Sequence, residues 1–190
     1  YSREAQGEIP MNTAGLYNPV FKQLLIWNLP ERKEMFQTIQ HECFHLYLDS
    51  ILEVEPPPWF NEGSAVYFES ANEENGFREG DAPDTELKRL DEALKHLDKA
   101  KIGFDLWNLL TMSREEVYTN AGINYTLSWA LVHLLGTESP DSRAMYDAYL
   151  ELLADGVPHF TATNRVFRQR GITKISDRFV RHLKESIGRR

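Results

Sequence analysis

His41-Glu42-Cys43-Phe44-His45 and, 17 residues beyond His45, Glu62 in the stretch Trp59-Phe60-Asn61-Glu62-Gly63-Ser64-Ala65-Val66-Tyr67-Phe68-Glu69 decide how this chain is read. The first stretch lies between Glu31 and Asp49, where Met35, Phe36, Ile39, Cys43, Phe44, Leu46 and Leu48 recur at a mostly helical spacing without Gly or Pro. That pattern predicts a helix. At about 100° per residue, residues four apart stand about 40° apart and one turn along, so the His41 and His45 imidazoles can reach one cation. Glu42, about 100° round from His41, can meet a water bound to that cation rather than the cation itself.

Imidazole pairs at this spacing suit Zn²⁺, whose catalytic sites take three protein ligands and keep one position open. The third ligand is found across a stiff connector. Pro56-Pro57-Pro58 cannot continue a helix, and Pro58 suits the first turn of the next one, predicted from about Trp59 to Ala71. A short connector can fold that turn back on the histidine face, making His41, His45 and Glu62 a His₂Glu set.

These residues resemble a known family. H-E-x-x-H followed by W-x-N-E-G-x-A-x-Y-x-E is similar to the gluzincin metallopeptidases, the group of thermolysin and the aminopeptidase N type, and most of all to the bacterial peptidase MA-like set. The resemblance spans about residues 14–150 and is strongest over 37–69 and 118–136. It implies a zincin-like minimal catalytic domain that cleaves peptide bonds in a peptide or protein substrate. The glycine-acidic signature by which aminopeptidases hold a free N-terminus is absent, which favours an endopeptidase.

The resemblance also assigns roles. Tyr125-Thr126-Leu127-Ser128-Trp129-Ala130-Leu131-Val132-His133-Leu134-Leu135 resembles the family helix that opens on a catalytic tyrosine, and Tyr125 lies 63 residues past Glu62. Tyr125 would then donate to the oxyanion, with Tyr118 as the competing tyrosine. Glu69 matches the family's second carboxylate and would fix a ligand imidazole, with Asn61 and Asp49 as further candidates for that task. Zinc would polarise the carbonyl and acidify its water while Glu42 acts as general base. Zincins hold an extended substrate against an edge strand, and Thr13-Ala14-Gly15-Leu16-Tyr17 would supply that edge, Gly15 allowing close backbone approach beside Leu16.

Outward from this core, runs at Ala14–Tyr17 and Phe21–Trp27 around Asn18-Pro19 predict a hairpin. Residues 72–84 are rich in turn formers and predict a surface loop. Helical patterns follow from Thr85 to about Ala100 and near Ser113–Tyr118, Ile123–Leu135, Asp141–Ala154, Thr161–Arg170 and Ile175–Ile187, with Gly136, Gly156 and Gly171 at expected helix ends. The fold class is α+β, mainly α, in one domain over 1–190. A strand-bearing part with the metal-binding helices occupies 1–72, and a helical half occupies 85–190.

The 190 residues carry 21 Lys+Arg against 29 Asp+Glu, a net charge of −8, which argues against a nucleic-acid binder. No apolar run approaches the roughly 20 residues of a membrane span. The basic segment 164–190 is expected to pair with the acidic stretch 53–98. Cys43, the single cysteine, permits no internal disulfide and reads as a small buried hydrophobe. His133 reads as a core or rim histidine, and His96, His159 and His182 as surface or packing residues. Tyr1 opens the chain without Met or a signal-peptide pattern, which suggests a fragment or processed form; the compartment stays open, with a secreted or periplasmic place in a longer chain as one expectation. Two rival readings use the same motif. One is a zincin-like module that binds zinc and serves as a scaffold, and the other is a hydrolase of non-peptide amides or esters.

Overall fold

A hairpin opens the structure, a computed structural model that describes residues 14–69, 82–99 and 104–188. Strands β1 (Gly15–Asn18) and β2 (Gln23–Ile26) pair antiparallel, with Gly15 opposite Ile26 and Asn18 opposite Gln23. The turn between them is held by Asn18, whose Oδ1 accepts from the Val20 and Phe21 amides at 3.0 and 3.2 Å. Trp27 N–H donates to the Ala14 carbonyl at 3.0 Å. Antiparallel ladders alternate, so this bond makes Leu16 and Leu25 the next bonded pair and turns the backbone groups of Gly15 and Tyr17 to the other edge of β1.

The hairpin is seated on helix α1 (Arg32–Ile51). Gly15 makes the close approach possible, since a Cβ there would lie 2.5 Å from Thr38 Cγ2 and 3.1 Å from Glu42 Cγ. The glycine thus makes room for α1 under the strand that the sequence suggests as a substrate edge. Tyr17 is buried beside it and donates its hydroxyl to Asp49 Oδ2 at 2.7 Å. Asp49, a candidate partner for a ligand histidine, is thereby spent on fixing β1.

After the prolines comes α2 (Pro58–Glu69), followed by α3 (Asp84–Lys99), α4 (Leu106–Thr111), α5 (Arg114–Thr119), α6 (Ala121–Thr137) and α7 (Pro140–Ala154). The chain ends with α8 (His159–Thr163), which runs into a π turn at Asn164–Arg168, and α9 (Ile172–Gly188). Helix α6 is the axis of the fold, buried without interruption from Thr126 to Leu135. Helix α2 lies against it through Gly63, where a Cβ would meet the Ser128 carbonyl carbon and oxygen at 2.6 Å. Trp59 and Phe60 of α2 extend the core to Tyr149 of α7, with ring centroids 5.1 and 5.2 Å apart. The position of Glu62 is thus set by buried residues before and after it, Trp59 and Phe60 on one side and Gly63 on the other.

The observed class is mainly α with a two-stranded antiparallel sheet. Several sequence expectations change. Gly136 lies inside α6, where it makes room for the Tyr67 hydroxyl, whereas Gly156 and Gly171 end helices at φ of 77° and 94°. Helix α4 was not anticipated, although Asp105 caps it by accepting from the Trp107 and Asn108 amides. The pattern near Thr161–Arg170 begins earlier, at His159, and widens into the π turn. Cys43 is exposed, because the α1 face that packs inward is the one carrying Phe44 and Leu48. In the basic C-terminal segment, Arg178 pairs with Glu138 and the Ser142 hydroxyl, away from the acidic stretch. Thr13, Ala71, Ala100 and residues 72–81 of the expected loop lie outside the described residues. Among the described residues no helix is long and apolar enough to cross a membrane.

Candidate metal centre

His41 and His45 leave α1 on the side facing α2, their rings edge to face with centroids 4.7 Å apart. Glu62 arrives from α2 one turn beyond the prolines, where the Pro57 carbonyl accepts from the Phe60 and Asn61 amides and starts the helix. Both Nε2 atoms then face one oxygen: Glu62 Oε2 lies 3.6 Å from His41 Nε2 and 3.7 Å from His45 Nε2. One donor atom from each of the three residues lies within 4.8 Å of the others, so the cluster could hold a metal ion. Two ligands at zinc-like bond lengths of about 2.0–2.1 Å in a tetrahedron stand about 3.3 Å apart, so the two separations to Glu62 need to close by only a few tenths of an ångström.

The far nitrogen of each ring is also accounted for. His41 Nδ1 is 2.6 Å from Glu69 Oε2, and His45 Nδ1 is 3.0 Å from Asn61 Oδ1. An acceptor at Nδ1 places the proton there and leaves the Nε2 lone pair for a cation. Two such lone pairs and a carboxylate converging on one point repel each other unless positive charge sits between them.

The acid–base balance of the cluster expresses the same need. Burial would depress the His41 pKa, but hydrogen bonds and charge from Glu62 and Glu69 outweigh it and hold the ring up to about 10. His45 is lowered by burial, against the pull of Glu62. Burial would raise Glu62, yet the hydrogen bond from His41 and the nearby imidazoles bring it below the usual carboxylate range. A proton on His41 is the charge these residues collect in the absence of a metal.

Glu42 is buried and points toward the hairpin, where its Oε2 accepts from the Tyr17 amide at 2.7 Å. It is close enough to the ligand set for its charge to act on His45. Tyr125, near the start of α6, lines a narrow cleft, too tight in this structure to admit a water molecule, with Glu62, Asn61, Arg114 and Tyr118. Burial and then the Glu62 charge push its hydroxyl far above the usual tyrosine range, so it stays a proton donor. Tyr118 borders the same cleft, its ring centroid 6.2 Å from that of Tyr125, but is 52% exposed.

Of the residues singled out from the sequence, the structure brings together His41, His45, Glu62, Asn61 and Glu69, with Tyr125 across the cleft. Gly15 and Leu16 lie in β1, Gly15 turned to α1 and Leu16 half-buried on the other face. Arg114 was not foreseen. It sits on the cleft and binds Glu55 Oε1 at 2.8 Å; the local signal is the Ser113–Glu116 capping box that fixes the start of α5. His133 is a buried core residue, as expected, and its Nδ1 lies 2.9 Å from His182 Nε2, giving His182 a partner that sequence spacing did not reveal.

Compared with protein-family models, curated proteins and solved structures, the chain matches none.

Proposed function

We propose that this chain is a zinc-dependent peptidase built on a minimal zincin-like catalytic domain, with His41, His45 and Glu62 holding the ion. The observation that carries this reading is the convergence of two Nε2 lone pairs and one Glu62 oxygen, each imidazole fixed from behind by its own acceptor. A structural zinc site is normally closed by four ligands, whereas the described residues offer three and leave one position open. When bound, zinc supplies Lewis-acid polarisation of a carbonyl and an acidified water.

The chain's own residues do the rest. Glu42 accepts the proton of the attacking water and passes it to the leaving amine. Tyr125, held neutral beside Glu62, donates to the oxygen on which negative charge develops. Glu69 and Asn61 keep the imidazoles in the ligating tautomer. The edge of β1 beside Glu42, which no strand covers among the described residues, is where an extended peptide lies.

The test is a quenched-fluorescent peptide library given to the zinc-loaded protein, with small amides and esters in parallel. Cleavage of internal peptide bonds that is lost in Glu42→Gln supports the reading. Bound zinc without turnover of any substrate turns it toward a zinc-binding scaffold, and turnover of small amides alone toward a non-peptide hydrolase.

A further inference from the structure

The alternation of the β1–β2 ladder sends the amides of Gly15 and Tyr17 to the edge of β1 that, among the described residues, no strand covers. These two donors, about 7 Å apart along the strand, are what the carbonyls of an added extended chain would bind. One of them is already taken. Glu42 passes under Gly15, its Cγ 3.1 Å from where a Cβ would stand, and turns its Oε2 onto the Tyr17 amide at 2.7 Å. The strand is pinned at the same residue, because the Tyr17 side chain donates to Asp49 Oδ2 at 2.7 Å, so the amide cannot swing away from α1.

We propose that Glu42 guards this edge. An extended segment that pairs with β1 must put one of its carbonyls on the Tyr17 amide, and in doing so it displaces the Glu42 carboxylate. The exchange trades a charged acceptor for a neutral carbonyl at the same N–H, so it is favourable only when the freed carboxylate gains a new partner. It frees the carboxylate toward His45, whose charge balance Glu42 already influences. Tyr17 is therefore a positioning residue that makes the state of Glu42 depend on whether the edge is filled. Only the use to which the freed carboxylate is put rests on the peptidase reading; the exchange does not.

The experiment uses the full chain with zinc present throughout. Tyrosines are labelled with ¹⁵N, and the Tyr17 amide is assigned by its loss in Tyr17→Phe. In wild type this amide should be protected from hydrogen exchange, and in Glu42→Ala it should exchange about tenfold faster, the scale of one lost buried hydrogen bond. Glu42→Asp, one methylene shorter, should behave like Glu42→Ala and serves if that variant folds poorly. Immobilised variants are then given a library of octapeptides blocked at both ends. Glu42→Ala should retain them about three- to tenfold more tightly than Glu42→Gln, which keeps an acceptor on the Tyr17 amide. Equal exchange in wild type and the shortened variants overturns the proposal, as does equal retention by Glu42→Ala and Glu42→Gln. If the difference in retention persists while wild type cuts no library peptide, the guarded edge stands and the peptidase reading falls.

Discussion

Glu69 stands 2.6 Å from His41 Nδ1 while Glu62, two turns earlier on the same helix, faces Nε2 of the same ring at 3.6 Å. Helix α2 thus grips His41 at both nitrogens and decides which of them is offered to a metal. Removing the outer grip should loosen the metal without touching a ligand. Glu69→Ala is expected to weaken zinc binding about 10- to 100-fold, and Glu69→Gln less, measured by competition with a chelating dye. A change under twofold would mean the contact has no role in holding metal.

The proton on His41 gives the centre a pH dependence. Its pKa in the folded, metal-free chain is about 10, above the ordinary histidine value of 6.5. The stabilisation it brings to the metal-free protein is therefore fully present below pH 6.5 and is lost as pH rises through 10. Zinc must displace that proton. Apparent affinity should climb with pH by about tenfold per unit between roughly 7 and 10 and then level off. Titration calorimetry at pH 8 in two buffers of different ionisation enthalpy should find at least one proton released per zinc, that of His41, with any excess coming from the zinc-bound water. Affinity that is flat across this range would contradict a protonated His41.

Gly63 tests the packing that sets Glu62 in place. A Cβ there would sit 2.6 Å from the Ser128 carbonyl carbon and oxygen, atoms of a buried helix that cannot step aside. Gly63→Ala should cost about 1–3 kcal/mol in urea unfolding. At Gly122, also in α6, nothing lies within 4 Å, and Gly122→Ala should show no loss. Equal effects at the two sites would mean that α2 and α6 are not in close contact.

The convergence of the three candidate ligands was legible because it depends on local periodicity. A four-residue spacing on one helix sets the two imidazoles, and a proline-bounded second helix brings back Glu62. Glu69 was placed by the family resemblance, and its contact with His41 Nδ1 agrees with that placement. What stayed hidden depends on contacts between distant segments. Nothing local shows that Glu42 binds the Tyr17 amide, that Asp49 holds the Tyr17 hydroxyl or that His182 meets His133 across 49 residues. Gly136 failed as a helix end because a glycine makes room for a neighbour as readily as it closes a turn, and here the neighbour is Tyr67. Cys43 misled in the same way, since a small apolar residue on a helix does not tell which side will be covered.

Two tyrosines border the cleft, and their surroundings separate them. Tyr125 is half-buried and feels the Glu62 charge, while Tyr118 is exposed. Tyr125→Phe should lower kcat about 10²- to 10³-fold with little change in KM, the cost of one oxyanion donor. Tyr118→Phe should change kcat by less than about threefold. The reverse ranking would give the oxyanion role to Tyr118.

If His41, His45 and Glu62 hold one zinc ion between them, the metal content of the protein and its variants will show it. Wild-type protein and the Glu62→Gln and His45→Gln variants would be loaded with zinc, dialysed against a competing chelator and measured for metal per chain. About one zinc per wild-type chain is expected, and well under one in either variant. A wild-type chain that emerges without zinc, or variants that keep as much as wild type, would contradict it.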